Sequence, residues 1–258
     1  NTTTGVIEFD GNQTGDSLDV DGVSYTFPVL GATVFVADNG DSSSLFTTAC
    51  TYGGPTNTLD DCGNVNAGPT GGAVAAGASY DFGNGFTTAI GFQTTTEAVS
   101  GIATDESTDS IALNGAYTGS NYGISVTYAS IEDGETTEKE DTYAAFNAYY
   151  TPDAEYFPSI SVGYETGDDA SAPSTADDRE VFFVGLQWDE VGPGSLGVAA
   201  GTFETAYAKT VDENWMYELY YSYPVNDGMT VTPVVYNKVG PSYEDAETGV
   251  LVKTSFSF

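Results

Sequence analysis

The sequence contains no histidine, and only five of its 258 residues are Lys or Arg. Without an imidazole, Ser-His-Asp and Cys-His mechanisms have no general base. Five cations cannot neutralise a run of phosphates, so nucleic acid is excluded as a partner. Two cysteines and no histidine do not make a zinc site. No apolar run reaches the ~18 residues of a membrane-crossing helix. The chain starts at Asn1 with no signal-peptide pattern, which reads as a processed or truncated product.

Acid and aromatics are plentiful. Asp and Glu number 38, for a formal charge of −33, yet Phe, Trp and Tyr make up 13% of the chain, more than disordered acidic sequences carry. Cys50 and Cys62 lie in a polar stretch rich in Gly, Pro and Asn. That placement reads as one local disulfide formed in an oxidising compartment, with two unpaired loop thiols as the alternative.

The dominant hydrophobic period is two. Tyr122, Ile124, Val126 and Tyr128 alternate with Gly123, Ser125, Thr127 and Ala129. Phe182, Val184, Leu186 and Trp188 alternate with Arg179, Val181, Phe183, Gly185, Gln187 and Asp189. Trp215, Tyr217, Leu219, Tyr221 and Tyr223 continue the pattern, as do Val250, Val252, Thr254, Phe256 and Phe258. This is the strand signal, and no segment of similar length carries a capped helical stripe.

About fourteen such segments are visible, near 3–10, 20–29, 31–38, 72–82, 85–96, 108–118, 122–132, 141–152, 158–166, 178–190, 194–205, 214–225, 228–239 and 247–258. Each approaches the ~9–11 residues a tilted strand needs to cross a bilayer. Tight connections, such as Gly83-Asn84 and Asn226-Asp227, alternate with long polar ones at 39–71, 97–107, 133–140, 167–177, 206–213 and 240–246. Short and long connections in turn are the order of an all-β, transmembrane, antiparallel up-and-down barrel.

Two features favour that barrel over a soluble sandwich. Tyr80, Phe82, Phe86, Tyr117, Tyr122, Tyr221 and Tyr223 sit beside tight turns, where an interfacial girdle belongs. The face opposite the apolar one is small and polar, and its charges are few: Asp81, Glu165, Arg179, Asp189, Glu218, Lys238 and Lys253. A soluble sheet would carry many Lys and Glu there, whereas a water-filled lumen would not. The chain also ends inside an alternating strand on Phe258, which resembles the terminal signature of bacterial outer-membrane barrels.

Three stretches are similar to cyanobacterial outer-membrane porins of the OprB-like carbohydrate-selective porin family. They are Asp21-Gly-Val-Ser-Tyr-Thr-Phe-Pro-Val-Leu-Gly31, Tyr221-Ser-Tyr-Pro-Val-Asn-Asp-Gly-Met-Thr-Val-Thr-Pro233 and Glu247-Thr-Gly-Val-Leu-Val-Lys-Thr-Ser-Phe-Ser-Phe258. The resemblance implies a passive channel for ions, carbohydrates and other small solutes in the cell outer membrane. It also implies a homotrimer surrounded by lipid and lipopolysaccharide. Family members carry an N-terminal surface-layer-homology domain and a coiled coil, and this sequence has neither. The family barrel begins before the Asp21 block, so sixteen strands are expected if N-terminal strands are missing, and a smaller barrel otherwise.

In porins one long loop after an early strand folds inward and narrows the barrel. The 39–71 connection, with Leu45, Phe46, Cys50, Tyr52, Asp60, Asp61 and Cys62, is the candidate, a stapled surface loop being the alternative. Its apolar residues need somewhere to bury. Asp60, Asp61, Asp81, Glu165, Arg179, Asp189, Glu218, Lys238 and Lys253 are the expected constriction and lumen residues. Acidic clusters at Glu132, Asp133, Glu135, Glu138, Glu140 and Asp141, and at Glu165, Asp168, Asp169, Asp177, Asp178 and Glu180, would draw cations to the mouth. Lys238, Lys253 and Arg179 would oppose them, leaving a mild cation preference.

No cofactor is expected beyond diffuse bridging of acidic loops by Ca²⁺ or Mg²⁺, hard ions that take oxygen ligands. Asp19-Val-Asp21-Gly22 lacks the ligands of a calcium loop. Asp177 and Asp178, adjacent in a Ser/Pro/Ala loop, have no rigid element to set the spacing of a glycosidase pair, and with no histidine as base no enzyme activity is expected. A closed structural or adhesive barrel with acidic binding loops is the competing reading.

Overall fold

The computed structural model describes residues 22–56, 59–70, 74–94, 108–132, 140–154, 156–168, 179–202, 215–239 and 246–257. Among these residues thirteen strands form one sheet: β1 (Val23–Val29), β2 (Ala32–Asp38), β3 (Val74–Asp81), β4 (Phe86–Thr94), β5 (Asp109–Thr118), β6 (Tyr122–Glu132), β7 (Glu140–Tyr150), β8 (Ser159–Asp168), β9 (Arg179–Val191), β10 (Gly194–Thr202), β11 (Trp215–Asn226), β12 (Met229–Lys238) and β13 (Glu247–Phe256). Each pairs antiparallel with its neighbour in sequence, without a crossover. This is the up-and-down barrel architecture. The expected strand at 3–10 and the terminal Phe258 lie outside the described residues.

The alternation sorts residues onto two faces, and the faces are inverted relative to a water-soluble protein. On the outer face Leu113 and Val126 are 52% and 54% exposed, while their inward neighbours Asn114 and Ser125 are 2% and 1% exposed. A soluble sandwich buries its apolar stripe and shows water the polar one. An exposed apolar belt of this extent calls for lipid.

Tight turns gather at one rim. At Leu30-Gly31 both residues take positive φ, 51° and 90°, the backbone of a two-residue type I′ hairpin. Beside the tight turns Tyr80 stacks edge-on against Phe82 at 4.9 Å, Phe86 lies 4.7 Å from Tyr117, and Tyr117 5.5 Å from Tyr122. Tyr221 donates to the Val191 carbonyl (2.7 Å) and Trp188 to that of Tyr156 (3.2 Å), joining rings of this girdle to turn backbone.

Four inward tyrosines stand directly across from glycines: Tyr149 from Gly123, Tyr143 from Gly167, Tyr220 from Gly197 and Tyr236 from Gly249. Each ring lies over its glycine, in space a side chain there would fill. Such pairs restore the contact a strand glycine lacks and help pin register.

Candidate constriction site

The described residues of the 39–71 connection lie against the inner face of the sheet. It opens with a 3₁₀ turn, Ser42–Leu45, capped by Asp41, whose carboxylate accepts from the Ser43 amide at 2.8 Å. The Ser42 amide donates to Gln93 Oε1 on β4 (2.9 Å). Every second amide then finds a wall side chain. Thr47 N–H donates to Asn114 Oδ1 on β5 (3.0 Å), and Ala49 to Ser125 Oγ on β6 (2.9 Å). Thr51 donates to Ser161 Oγ on β8 and Gly53 to Gln187 Oε1 on β9, both at 2.9 Å. Within this extended run the Cys50 amide donates to the loop's own Thr48 carbonyl (2.9 Å), while the alternate amides must be met from outside. The inner wall's Asn, Ser and Gln side chains meet them.

Glu218 on β11 holds the far end of this run. It is 1% exposed and accepts from the Tyr52 hydroxyl (2.7 Å) and the Thr56 hydroxyl. The chain then turns back. Glu165 on β8, also 1% exposed, accepts from the Asn66 amide (2.8 Å), Asn66 Nδ2 (2.9 Å) and the Ala67 amide (2.9 Å). Thr70 and Ser110 exchange bonds at 2.8 and 2.7 Å. Cys50 and Cys62 form the disulfide, joining the outward and returning runs. The loop's apolar residues bury inside the sheet: Tyr52, Leu59 and Cys62 cluster with Phe183, Ala199, Met216, Tyr220, Val234 and Val239.

Inward glycines make room for this contact. A β-carbon on Gly77 would meet Leu45 Cδ1 at 2.8 Å, on Gly91 Ser42 Oγ at 2.7 Å, on Gly185 Tyr52 Cβ at 2.9 Å and on Gly201 Leu59 Cδ2 at 2.6 Å. Glycine inside a strand marks just such a close approach.

Asp60 and Asp61 lie on the returning run, exposed to solvent yet surrounded by the enclosing sheet. Crowding by protein pushes the Asp61 carboxyl up to about 6, and the negative charges of Asp60 and Glu165 add to the shift. Asp60 is also raised by burial, against the pull of its own and Asp61's backbone amides and of Lys238 and Lys253. Lys253 on β13 donates to the Pro55 carbonyl at 3.4 Å. The Tyr52 hydroxyl is raised above the usual tyrosine range, first by burial and then by Glu218.

Of the residues expected at the constriction, Asp60, Asp61, Glu218, Lys238 and Lys253 are thus brought into one neighbourhood, with Glu165 acting on Asp61. Glu165 and Glu218 spend their charge holding the loop. Asp81 is elsewhere, at the tight-turn rim, where it accepts from the Gly83 amide at 2.8 Å. Asp189 faces Gln187 Nε2 at 2.9 Å, and Arg179 opens β9 at the long-loop rim. Of the acidic loop clusters, Asp133, Glu135, Glu138, Asp169, Asp177 and Asp178 lie outside the described residues. Sequence reasoning missed the neutral anchors Asn114, Ser125, Asn147, Ser161 and Gln187. The inward glycines were the available signal, because strand interiors disfavour glycine unless another backbone comes close.

No protein-family model matches this sequence, and no curated protein matches it significantly. Solved structures do. A triple mutant of Rh. blastica porin superposes with a TM-score of 0.64 at 14% identity, covering 96% of this chain and 81% of that one. A double mutant of the same porin gives 0.61 at 15% identity, covering 96% and 81%. A further porin structure gives 0.60 at 18% identity, covering 91% and 80%. At these identities the likeness is one of fold: this chain has the porin barrel.

Proposed function

We propose that this chain is an outer-membrane porin, a passive diffusion channel for ions and small hydrophilic solutes with a mild preference for cations. The observation that carries this reading is the 39–71 loop, bonded along the inner wall from β4 to β13. The loop holds Asp60 in the field of Lys238 and Lys253, with Asp61 beside it. A passing ion would meet carboxylates on one side and ammonium groups on the other, with the acidic loops enriching cations at the mouth. The outer apolar belt and its aromatic rim fit outer-membrane lipid and lipopolysaccharide as surroundings. Kinship to the cyanobacterial carbohydrate-selective porins, a homotrimeric assembly and diffuse Ca²⁺ or Mg²⁺ bridging of the acidic loops belong to the same proposal, as does the absence of catalytic activity.

The apolar cluster between loop and wall favours one rival, a barrel filled too far to conduct, serving a structural or adhesive role. Planar-bilayer recording separates the two. The porin reading expects stepwise conductance, with a reversal potential of cationic sign that shrinks as salt rises and the ~8 Å Debye length shortens. Silent bilayers would favour the closed barrel, and anionic selectivity at low salt would overturn the cation preference.

A further inference from the structure

One point on the wall bears more directly than the rest on how far the loop stands into the barrel. Asn147 on β7 and Gly163 on β8 are register partners, and Gly163 is in turn paired with Phe183 on β9. The Cys62 carbonyl enters the notch between them. Asn147 is fully buried, and its Nδ2 donates to that oxygen at 2.8 Å. Any β-carbon at Gly163 would overlap the same carbonyl. Next along the loop, Gly63 has φ of +74°, and a β-carbon there would lie 2.8 Å from Phe183 Cβ and 3.3 Å from the Gly163 carbonyl carbon. Two residues further along β8, Glu165 takes the amides of Asn66 and Ala67. The returning run, residues 62–67, is thus pressed onto β7–β9 backbone to backbone. Only an absent side chain permits that approach.

We infer that Asn147 and Gly163 are positioning residues for the channel: their notch sets the distance of the 62–67 run, and of Asp60 and Asp61 beside it, from the wall, and so sets the free width of the lumen. This rests on the porin reading for its functional meaning and on the notch alone for its geometry. Volume added at Gly163 cannot be absorbed by a flexible side-chain end, because the group it meets is backbone held by the disulfide at the same residue. The loop must move off β8 and inward. Removing the Asn147 amide does the opposite, releasing the carbonyl without adding bulk.

Gly163→Val is the direct test, with Gly163→Ala as the milder form if Val prevents assembly. Folding is checked by the mobility shift on boiling. Folded Gly163→Val is expected to cut single-channel conductance to roughly half and to lower the size limit for neutral solutes. A second readout is independent of conduction. Spin labels at Val65→Cys on the loop and Thr26→Cys on the inner face of β1 report the gap across the barrel, which should shorten in Gly163→Val. Asn147→Ala, which frees the Cys62 carbonyl, is expected to add open-channel noise and to broaden the distribution of that label distance. Unchanged conductance together with an unchanged label distance in folded Gly163→Val overturns the inference. If the native protein never conducts, the porin reading falls while the label distance still decides the seat.

Discussion

Glu165 and Glu218 show how a carboxylate can be spent on holding a loop rather than on filtering solutes. Each is buried, and each accepts from donors of the inward loop: Tyr52 and Thr56 on Glu218, Asn66 and Ala67 on Glu165. Glu165→Ala takes the acceptor from the buried Ala67 amide, and a buried donor left unsatisfied costs about 1–3 kcal/mol. Unfolding by urea from lipid vesicles should show that loss, with Glu165→Gln losing less because its amide oxygen still accepts. Asp61 is the opposite case, a carboxylate left facing solvent in a crowded place. Its folded-state value of about 6 lies above the ordinary 3.8, so in the folded protein it ionises as pH rises through about 6 and is neutral well below that. Cation preference should therefore weaken as pH falls from 8 to 5, and Asp61→Asn should flatten the pH profile of the reversal potential while lowering cation selectivity at pH 8. The sign for stability is the reverse of a salt-bridged Asp: the folded state holds the proton more tightly, so ionisation costs stability and Asp61→Asn relieves it at neutral pH. At this scale the sequence was only partly readable. Lys238, Lys253, Asp60 and Asp61 could be chosen as lumen charges because the alternation and the loop's position assign them. Asp81 follows the same alternation, but its side chain caps a turn two residues on, a local bond that face periodicity does not register.

The strands were legible because each follows a rule confined to its own residues, apolar outward and small or polar inward. From β2 onward the observed elements differ from the expected segments only by short trims or extensions at their ends. The loop obeys no such local rule. Its path depends on Asn114, Ser125, Ser161 and Gln187, which are 67, 76, 110 and 134 residues from their partners. Nothing in residues 39–71 names those acceptors. The disulfide was legible by position, and its role follows from what it encloses: residues 51–61 include the contacts to Glu218, Gln187 and Lys253 as well as the acidic pair. Closing a ring of this size contributes about 2–4 kcal/mol to ordering it. Cys50→Ser with Cys62→Ser should leave the boiling shift of the barrel intact, since no strand contains either residue. Its single-channel traces should be noisier and its cation selectivity lower. Deleting residues 52–60 should raise conductance outright.

For the whole molecule, the formal charge of −33 and the inverted faces belong to one design. Lipid excludes charge from the belt at a cost that grows with depth, so among the described residues the acids lie at the rims, in the inward loop and on the inner face. A barrel so built should migrate differently in gels before and after boiling, and a sample that migrates identically would contradict the membrane assignment. The alternate-amide attachment of the inward loop also bears on how such a channel changes over time. Between Thr47 and Gly53 the wall grips main-chain amides, which every residue but proline possesses, while among the side chains of this run Cys50 and Tyr52 are fixed by the disulfide and by Glu218. On the porin reading, a lineage could therefore rewrite an exposed position such as Thr48 without renegotiating the amide ladder that carries it, but not Cys50 or Tyr52. What such a loop can exchange is set by which of its side chains the wall has left unused.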